Sequence, residues 1–594
     1  MQHRILTLLA GLPLLAHTAG AQAPGWTDAT LLGTLNPAAS VNDNGFTPRA
    51  TATDAQGNVW LAGGFYGTVN FGAIRLTSVG PTDAVVLKWN PATNTVAWAQ
   101  QIGGIGREEF TALTLRGGVA YLTGAFASPT VAVGPAMLTN AEGSATFAPR
   151  NVMVLKLTDA GNTAQLNWAQ QLGTTGDEAA TAIAERNGSV YVAGAFNSTA
   201  LQVGPSQLTA DPNGDGYVAR LTDNGSSAAW AWALPLGGTG RDDVLALALG
   251  STAVYVAGQF ASPSLRVGGH TLTNTSLPSF NPAYLYSDGF VLRLTDAGSS
   301  GVVDWVQQTT GLYGEQFAAL AVHGNTLYTA LNFGQAGATV GAVALSSPAN
   351  AVRSASDAGV AVVKLTDTGT ASTAVWGVAG GGAGNQYARG LAVRGTDVYL
   401  AGDFRSDTLA LGGFRLPNVP GIITYSNTFL SRITDGGTTG RVAWAQQYGG
   451  FGSEEVAAVA LAGNRVYVAG WANSPNLQVG ARPLPIASAQ SAGVLAWVTD
   501  PALLGTAALA LPSAFSVGPN PAHGRALVQL AAATAPGAPT TLTLLDALGR
   551  SMRTATLPAT TTSHPLDLAG LTPGLYLVRL TANGTTATQR LVVE

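Results

Sequence analysis

The sequence predicts an all-β chain: a seven-bladed β-propeller followed by a small C-terminal β-sandwich. Three observations carry this. A phrase of the form VYVAG recurs from Val59, Ala120, Val190, Val254, Leu327, Val398 and Val466, at steps of 61, 70, 64, 73, 71 and 68 residues. The apolar runs around it are short and β-rich, bounded by Asn-Gly, Asp-Gly, Gly-Ser or Gly-Gly, and lack helical periodicity. After Asp500 the repeat stops and different phrases begin. A repeat of this length is one supersecondary unit that buries its faces only against its neighbours.

Taken in order, the chain opens with MQHRILTLLAGLPLLAHTAGAQA, which joins one Arg, an apolar run and small residues at a cleavage position. That is the pattern of a secretory signal peptide over residues 1–21, with Pro24 favouring cleavage after Ala21. No other run of about 18 apolar residues occurs, so no transmembrane segment is expected. Charged residues are only 10%, Gly is 75 of 594, and the formal net charge is −4. The 28 basic residues are scattered, which argues against nucleic acid as a partner. With no Cys, disulfides and thiolate metal sites are excluded.

Residues 24–500 carry the repeat. Each unit runs through a small-apolar stretch (TAIAERNG, 181–188), VYVAGAF, a longer connection with a VGxxxLT phrase (Val203 to Thr209), DGYVARLTD (215–223) and a Trp segment such as WAQQLG (168–173). This predicts four strands per unit and, without helices, a propeller. The Trp strand occurs six times, at Trp98, Trp168, Trp232, Trp305, Trp376 and Trp444, whereas VLAWVTDP (494–501) has none after it. The orphan Trp26 segment before the first unit is expected to fill the gap, so that residues 26–34 become the outer strand of the last blade. Going in and out across a blade puts the short turns on one side. The VGxxxLT connections and the inter-blade GGxGxEE loops share the other side, where function would sit.

The repeat resembles the β-propeller repeats of secreted bacterial proteins, through GNVWLAG (57–63), DGFVLRLTDAG (288–298) and WAQQYGGFGSEE (444–455). The resemblance implies the fold and adds little about activity.

Acidic pairs stand before the first strands: Glu108–Glu109, Asp177–Glu178, Asp242–Asp243 and Glu454–Glu455. Paired carboxylates suit glycoside hydrolysis, but neighbours on a strand point to opposite faces, so one pair cannot serve alone. Their recurrence indicates loop anchors that accept backbone N–H bonds. Carboxylates from several blades could also ring a channel mouth and hold a cation. DPNGDG (211–216) starts like a calcium loop, but its twelfth position is Thr222, and a turn is the favoured reading. His270, His323, His523 and His564 lack metal-ligand spacing, and no Ser/His/Asp arrangement stands out. No catalytic residue, metal ligand or cofactor is therefore assigned. The recurring Trp reads as blade-to-blade packing. Aromatics that break the repeat, Phe280, Tyr284, Tyr286 and Tyr313, fall on neighbouring long loops and are the candidate ligand-binding residues. A loop folding over its own apolar cap explains them as well.

Residues 501–511 form a small-residue linker, and 512–594 hold several short strands with Asn583-Gly584 as a hairpin turn. These phrases look like the C-terminal sorting domain of type IX secretion. Pro519-Asn520-Pro521, Asp546 with Gly549 and Arg550, Gly574 with Tyr576, and Arg590 carry that likeness. It implies recognition by the type IX export machinery and a secreted location, extracellular or on the outer surface of the outer membrane. Two function classes remain. One is a non-enzymatic surface protein that binds a glycan or protein partner, favoured by the rigid scaffold and the Tyr-bearing loops. The other is an exported polysaccharide-degrading enzyme using carboxylates from several blades.

Overall fold

Each VYVAG phrase is the second strand of a four-stranded antiparallel sheet. In the third sheet the strands are Glu178–Arg186, Ser189–Phe196, Asp215–Asp223 and Ala228–Leu236, paired in chain order. The plan recurs seven times, with first strands Phe46–Thr53, Glu108–Arg116, Glu178–Arg186, Asp242–Leu249, Gln316–His323, Gln386–Arg394 and Glu454–Ala462. The second and third strands are buried on both faces, which is why they read as continuous apolar runs. The first strand of each sheet lies beside that of the next, and that of the seventh lies beside that of the first. The computed structural model describes residues 23–35, 45–145, 149–173, 175–278, 286–334, 336–347, 358–418, 425–487, 490–504, 515–530, 540–546, 550–558, 561–582 and 585–594. The expected signal peptide lies outside them. The chain divides into two units, Met1–Asp500 and Pro501–Glu594. Among the described residues there is no α-helix, only a short 3-10 turn at Pro501–Leu504, at the start of the expected linker.

The four-strand count falls short. The VGxxxLT phrase is itself a hairpin, such as Leu201–Val203 with Ser206–Leu208, and every sheet carries one between its second and third strands. Its two-residue turn starts with Gly204 at φ +57°, a conformation natural to Gly and favoured in tight hairpins. Three or four residues per strand are too few for periodicity to show.

Trp26–Leu32 pairs antiparallel with Ala492–Thr499 and completes the seventh sheet, as expected for residues 26–34. The register adds one detail. Trp26 faces Val498 as Trp230 faces Leu221, while Asp28 takes the place of the recurring Trp. Accordingly the Trp26 and Trp230 indoles both donate to a Gln carbonyl, Gln447 at 2.8 Å and Gln171 at 3.0 Å.

The junctions between sheets are pinned at the short-turn side. Asp223, ending the third strand of its sheet, accepts from Tyr121 (2.7 Å), Lys156 (2.7 Å) and Trp168 (3.0 Å) of the preceding sheet. It also caps its own turn through the Gly225 N–H at 2.9 Å. Burial raises the Asp223 carboxyl, but Lys156, Tyr121 and the other donors outweigh it and hold the group below its ordinary value. Asp296, Asp367, Asp435 and Asp500 take the same Tyr, Trp and basic partners, and Asp159 takes Lys88 and Trp98. At the junction of the seventh sheet with the first, Trp497 replaces the basic residue and Pro91 the Asp. There Trp89, Tyr467 and Trp497 pack together with ring centroids 5.3 to 6.1 Å apart. Aromatic area substitutes for the charge cluster where the first and last sheets meet.

In the C-terminal unit, one sheet holds Phe515–Gly518, Arg525–Leu530 and Ser563–Asp567, and the other Ser551–Leu557, Thr540–Leu545, Gly574–Ala582 and Thr585–Val593. Phe515, Val528, Leu544, Tyr576, Val578 and Leu591 share one core between them. The last two strands pair as a hairpin; its turn, Asn583-Gly584, lies outside the described residues.

Candidate functional site

Hydrogen bonds sort the loops by side as the strand order requires. Third-to-fourth turns bond to first-to-second turns, as in Asp223 N–H to Gly188 O at 2.8 Å. Inter-sheet loops bond to the second-to-third connections, as in Gly106 N–H to Ser128 Oγ at 2.7 Å. The long loops therefore share one side.

The acidic pairs stand at that side, and each carboxylate has a partner. Glu108 is buried and accepts from the Gly104 N–H (2.8 Å), the Ser128 N–H (3.1 Å) and the Ser128 hydroxyl (2.6 Å). Glu178, Asp242 and Glu454 repeat the bond to Ser198, Ser262 and Ser474. The remaining member of each pair meets an arginine: Arg49–Glu109 at 2.5 Å, Arg150–Asp177 at 2.6 Å, Arg241–Asp243 at 3.0 Å and Arg405–Glu455 at 3.7 Å. One carboxylate anchors a loop, as the recurrence suggested, and the other is charge-balanced. Burial pushes Asp242 up to about 7 against the Ser262 hydroxyl, and Glu454 up to about 7 against the Ser474 hydroxyl. Glu315, just before the fifth sheet's first strand, is raised by burial and then by Asp288 beside it, and Asp288 is itself raised by burial. The DPNGDG segment is a turn: Asp211 accepts from the Asn213 N–H at 3.2 Å, and Asp215 from the Asp211 N–H at 3.3 Å.

Of the four candidate aromatics, Phe280 and Tyr284 lie outside the described residues. Tyr286 and Tyr313 do come together, edge to face at 5.7 Å. Both are half-buried; Tyr286 donates its N–H to Leu277 O at 3.0 Å, and Tyr313 packs on Gly334. The pair is partly its own cap and partly surface.

A larger opening lies where the sixth, seventh and first sheets meet. A cleft of about 590 Å³ is lined by Thr47, Arg49, Tyr425, Phe451, Glu455 and Trp471, among others. Glu455 and Trp471 stand opposite each other across the strand pair and so share a sheet face. Trp471 occupies a position that is Gly64, Ala125, Ala195, Gln259, Asn332 and Asp403 in the other sheets. Phe451 is 56% exposed at the tip of an inter-sheet loop. Sequence reasoning missed both because Trp471 directly follows a VYVAG phrase and Phe451 sits inside a GGxGxEE loop, where the repeat drew attention away. An aromatic ring where the other units carry a small or polar residue after VYVAG was the available signal.

In the C-terminal unit the motif residues hold its own strands. Asn520 donates to Arg590 O at 2.8 Å and accepts from the Val592 N–H at 2.9 Å. Arg550 pairs with Asp546 at 2.6 Å, and the buried Tyr576 donates to Thr572 O at 2.8 Å. Gly574 faces Val593 in the final hairpin; Gly549 lies outside the described residues.

Residues 516–594 match the family described as Secretion system C-terminal sorting domain. The chain thus carries a type IX sorting domain and is a secreted protein attached to the cell surface. No curated protein matches it by sequence. The extracellular domain of a one component system from B. thetaiotaomicron is similar at 9% identity over 96% of this chain and 99% of its own, with a TM-score of 0.15. The BSP domain of a biofilm associated protein is similar at 10% identity over 75% of this chain and 74% of its own, with a TM-score of 0.12. Neither likeness is close enough to inform fold or function. No helix among the described residues is long and apolar enough to cross a membrane.

Proposed function

We propose that this exported protein is a non-enzymatic binding protein of the cell surface, whose residues 24–500 form a closed seven-bladed β-propeller that presents a glycan or protein partner with its long-loop side. Support for the closed form comes from the seven like sheets, the strand Trp26–Leu32 on the seventh, and the first strands of the seventh and first lying together. Residues 1–21 would be the export leader and 501–511 the linker to the sorting domain.

The observation that carries the binding reading is the state of the acidic pairs. A hydrolase needs one carboxyl free to give a proton and another free to attack or to activate water. Here one of each pair is committed to loop N–H and hydroxyl groups and the other to an arginine. Among the features that distinguish units on that side are aromatic pairs: Tyr286 with Tyr313, and Trp471 with Phe451. The test is an array of glycans and extracellular proteins probed with the full chain, with new reducing ends assayed on the same polysaccharides. Retention without release supports the reading. Release abolished by a single carboxylate-to-amide change would replace it with hydrolysis.

A further inference from the structure

We propose that the cleft where the sixth, seventh and first sheets meet is a binding groove for a neutral polysaccharide chain. This deepens the binding reading above and rests on it.

The first argument is shape. The cleft of about 590 Å³ falls in the size range of ligand sites, roughly 300–1,000 Å³. A second cleft of about 420 Å³, lined by Gly64, Tyr66, Thr82, Arg107 and Glu109, shares Thr47 and Arg49 with it. The two openings adjoin at Thr47 and Arg49, on the first strand of the first sheet. Adjoining openings suit a chain of sugar units better than a single compact ligand.

The second argument is the lining. Trp471 stands in the wall, half-buried, and Phe451 stands at the rim, 56% exposed. Tyr425 lines the same cleft and Tyr66 the adjoining one. Flat aromatic faces take the C–H face of a pyranose ring at small cost in rotamer freedom. No equivalent indole follows the VYVAG phrase in the other six sheets, where the residue is Gly, Ala, Gln, Asn or Asp. The site is therefore particular to this junction.

The third argument is charge. The lining of the two clefts sets two arginines, Arg49 and Arg107, against two carboxylates, Glu109 and Glu455; Arg49 pairs with Glu109 at 2.5 Å, and Glu455 meets Arg405, outside the lining, at 3.7 Å. Arg49 and Glu455 remain partly exposed to the cleft. Guanidinium and carboxylate groups side by side offer donors and acceptors for sugar hydroxyls with no net charge to balance. An anionic ligand would have to compete with Glu109 for Arg49, and a cationic one with Arg49 for Glu109. A neutral chain breaks neither pair.

The experiment uses the full chain in affinity electrophoresis through gels containing one soluble neutral polysaccharide each (a β-glucan, a xylan, a galactomannan) and, in parallel gels, anionic alginate or a sulfated galactan. Trp471→Ala and Phe451→Ala are compared with Met137→Ala, an exposed position on the second sheet's hairpin, as the control, and with Tyr286→Ala/Tyr313→Ala at the competing aromatic pair, with thermal melting run on each. Phe451 is the safeguard, since an exposed loop tip can be cut back without loss of fold. Retardation is expected in at least one neutral gel and should persist at about 1 M salt, where exposed ionic contacts are screened. It should fall about tenfold or more in both cleft variants and stay unchanged in the control. Retardation lost only in the Tyr286/Tyr313 variant would overturn the cleft and leave the binding reading intact. Retardation confined to the anionic gels, or none in any neutral gel, would also overturn the cleft; release of reducing ends would instead count against the binding reading itself.

Discussion

Replacing Glu454 by Gln should make the protein more stable at pH 8 and leave it unchanged near pH 4.5. Glu454 is buried, accepts from the Ser474 hydroxyl, and has its pKa pushed by burial up to about 7 from an ordinary 4.5. In the unfolded chain it ionises near 4.5, so between that pH and 7 the native state binds more protons than the unfolded state. Stability then falls as pH rises through that window and levels off above 7. Holding Glu454 at about 7 and not at its ordinary 4.5 corresponds to about 3 kcal/mol at pH 8. Gln cannot ionise, and the fold already accepts it: Gln386 holds the same place in the sixth sheet, accepting from the Gly382 N–H at 3.1 Å and donating to Gly384 O at 2.8 Å. The assay is urea unfolding of wild type and variant at acidic, neutral and basic pH. The difference between them should grow from near zero to about 2–3 kcal/mol in favour of Gln. A difference that does not change with pH would refute the reasoning, because it would mean that Glu454 does not titrate in this window.

Three more perturbations follow from the packing. Asp223→Asn keeps the shape but leaves the largely shielded Lys156 without its counter-charge, and should cost about 3 kcal/mol in urea unfolding, much of it restored by adding Lys156→Met. Gly194→Ala would drive a Cβ into the Ala179 carbonyl oxygen, backbone against backbone, and should cost at least about 2 kcal/mol or reduce soluble yield; a variant as stable as wild type would show that the strand bulge there can relax. Deleting residues 24–36 removes the strand on Ala492–Thr499 and exposes a sheet edge, so the whole N-terminal unit should melt lower; an unchanged melting temperature would show that the strand is dispensable.

The sheet plan was legible because VYVAG, DGYVARLTD and the Trp phrase each occupy a full strand and repeat. The strand lent by the N-terminus was legible for the same reason, by subtraction. The hairpins in the VGxxxLT connections were not, since strands such as Leu201–Val203 are too short to show alternation. Nor was the Asp223 junction, although its Tyr, Asp and basic residue recur with the Trp; the partners lie up to 102 residues apart and only the pairing of sheets brings them together. The register of that strand was not legible, because Trp26 stands two residues before the place of the recurring Trp. At the long-loop side, strand order put Tyr286 and Tyr313 on one face, but their contact was not foreseen. Trp471 went unnoticed because the residue after VYVAG varies among Gly, Ala, Gln, Asn and Asp and drew no attention.

Binding without turnover is tested most directly by isothermal titration of the full chain with the neutral polysaccharide it retains best. The account predicts a saturable isotherm in which each injection returns to the baseline, with Trp471→Ala weakening it about tenfold or more. A steady heat that continues after each injection and disappears in a single carboxylate-to-amide variant would contradict it.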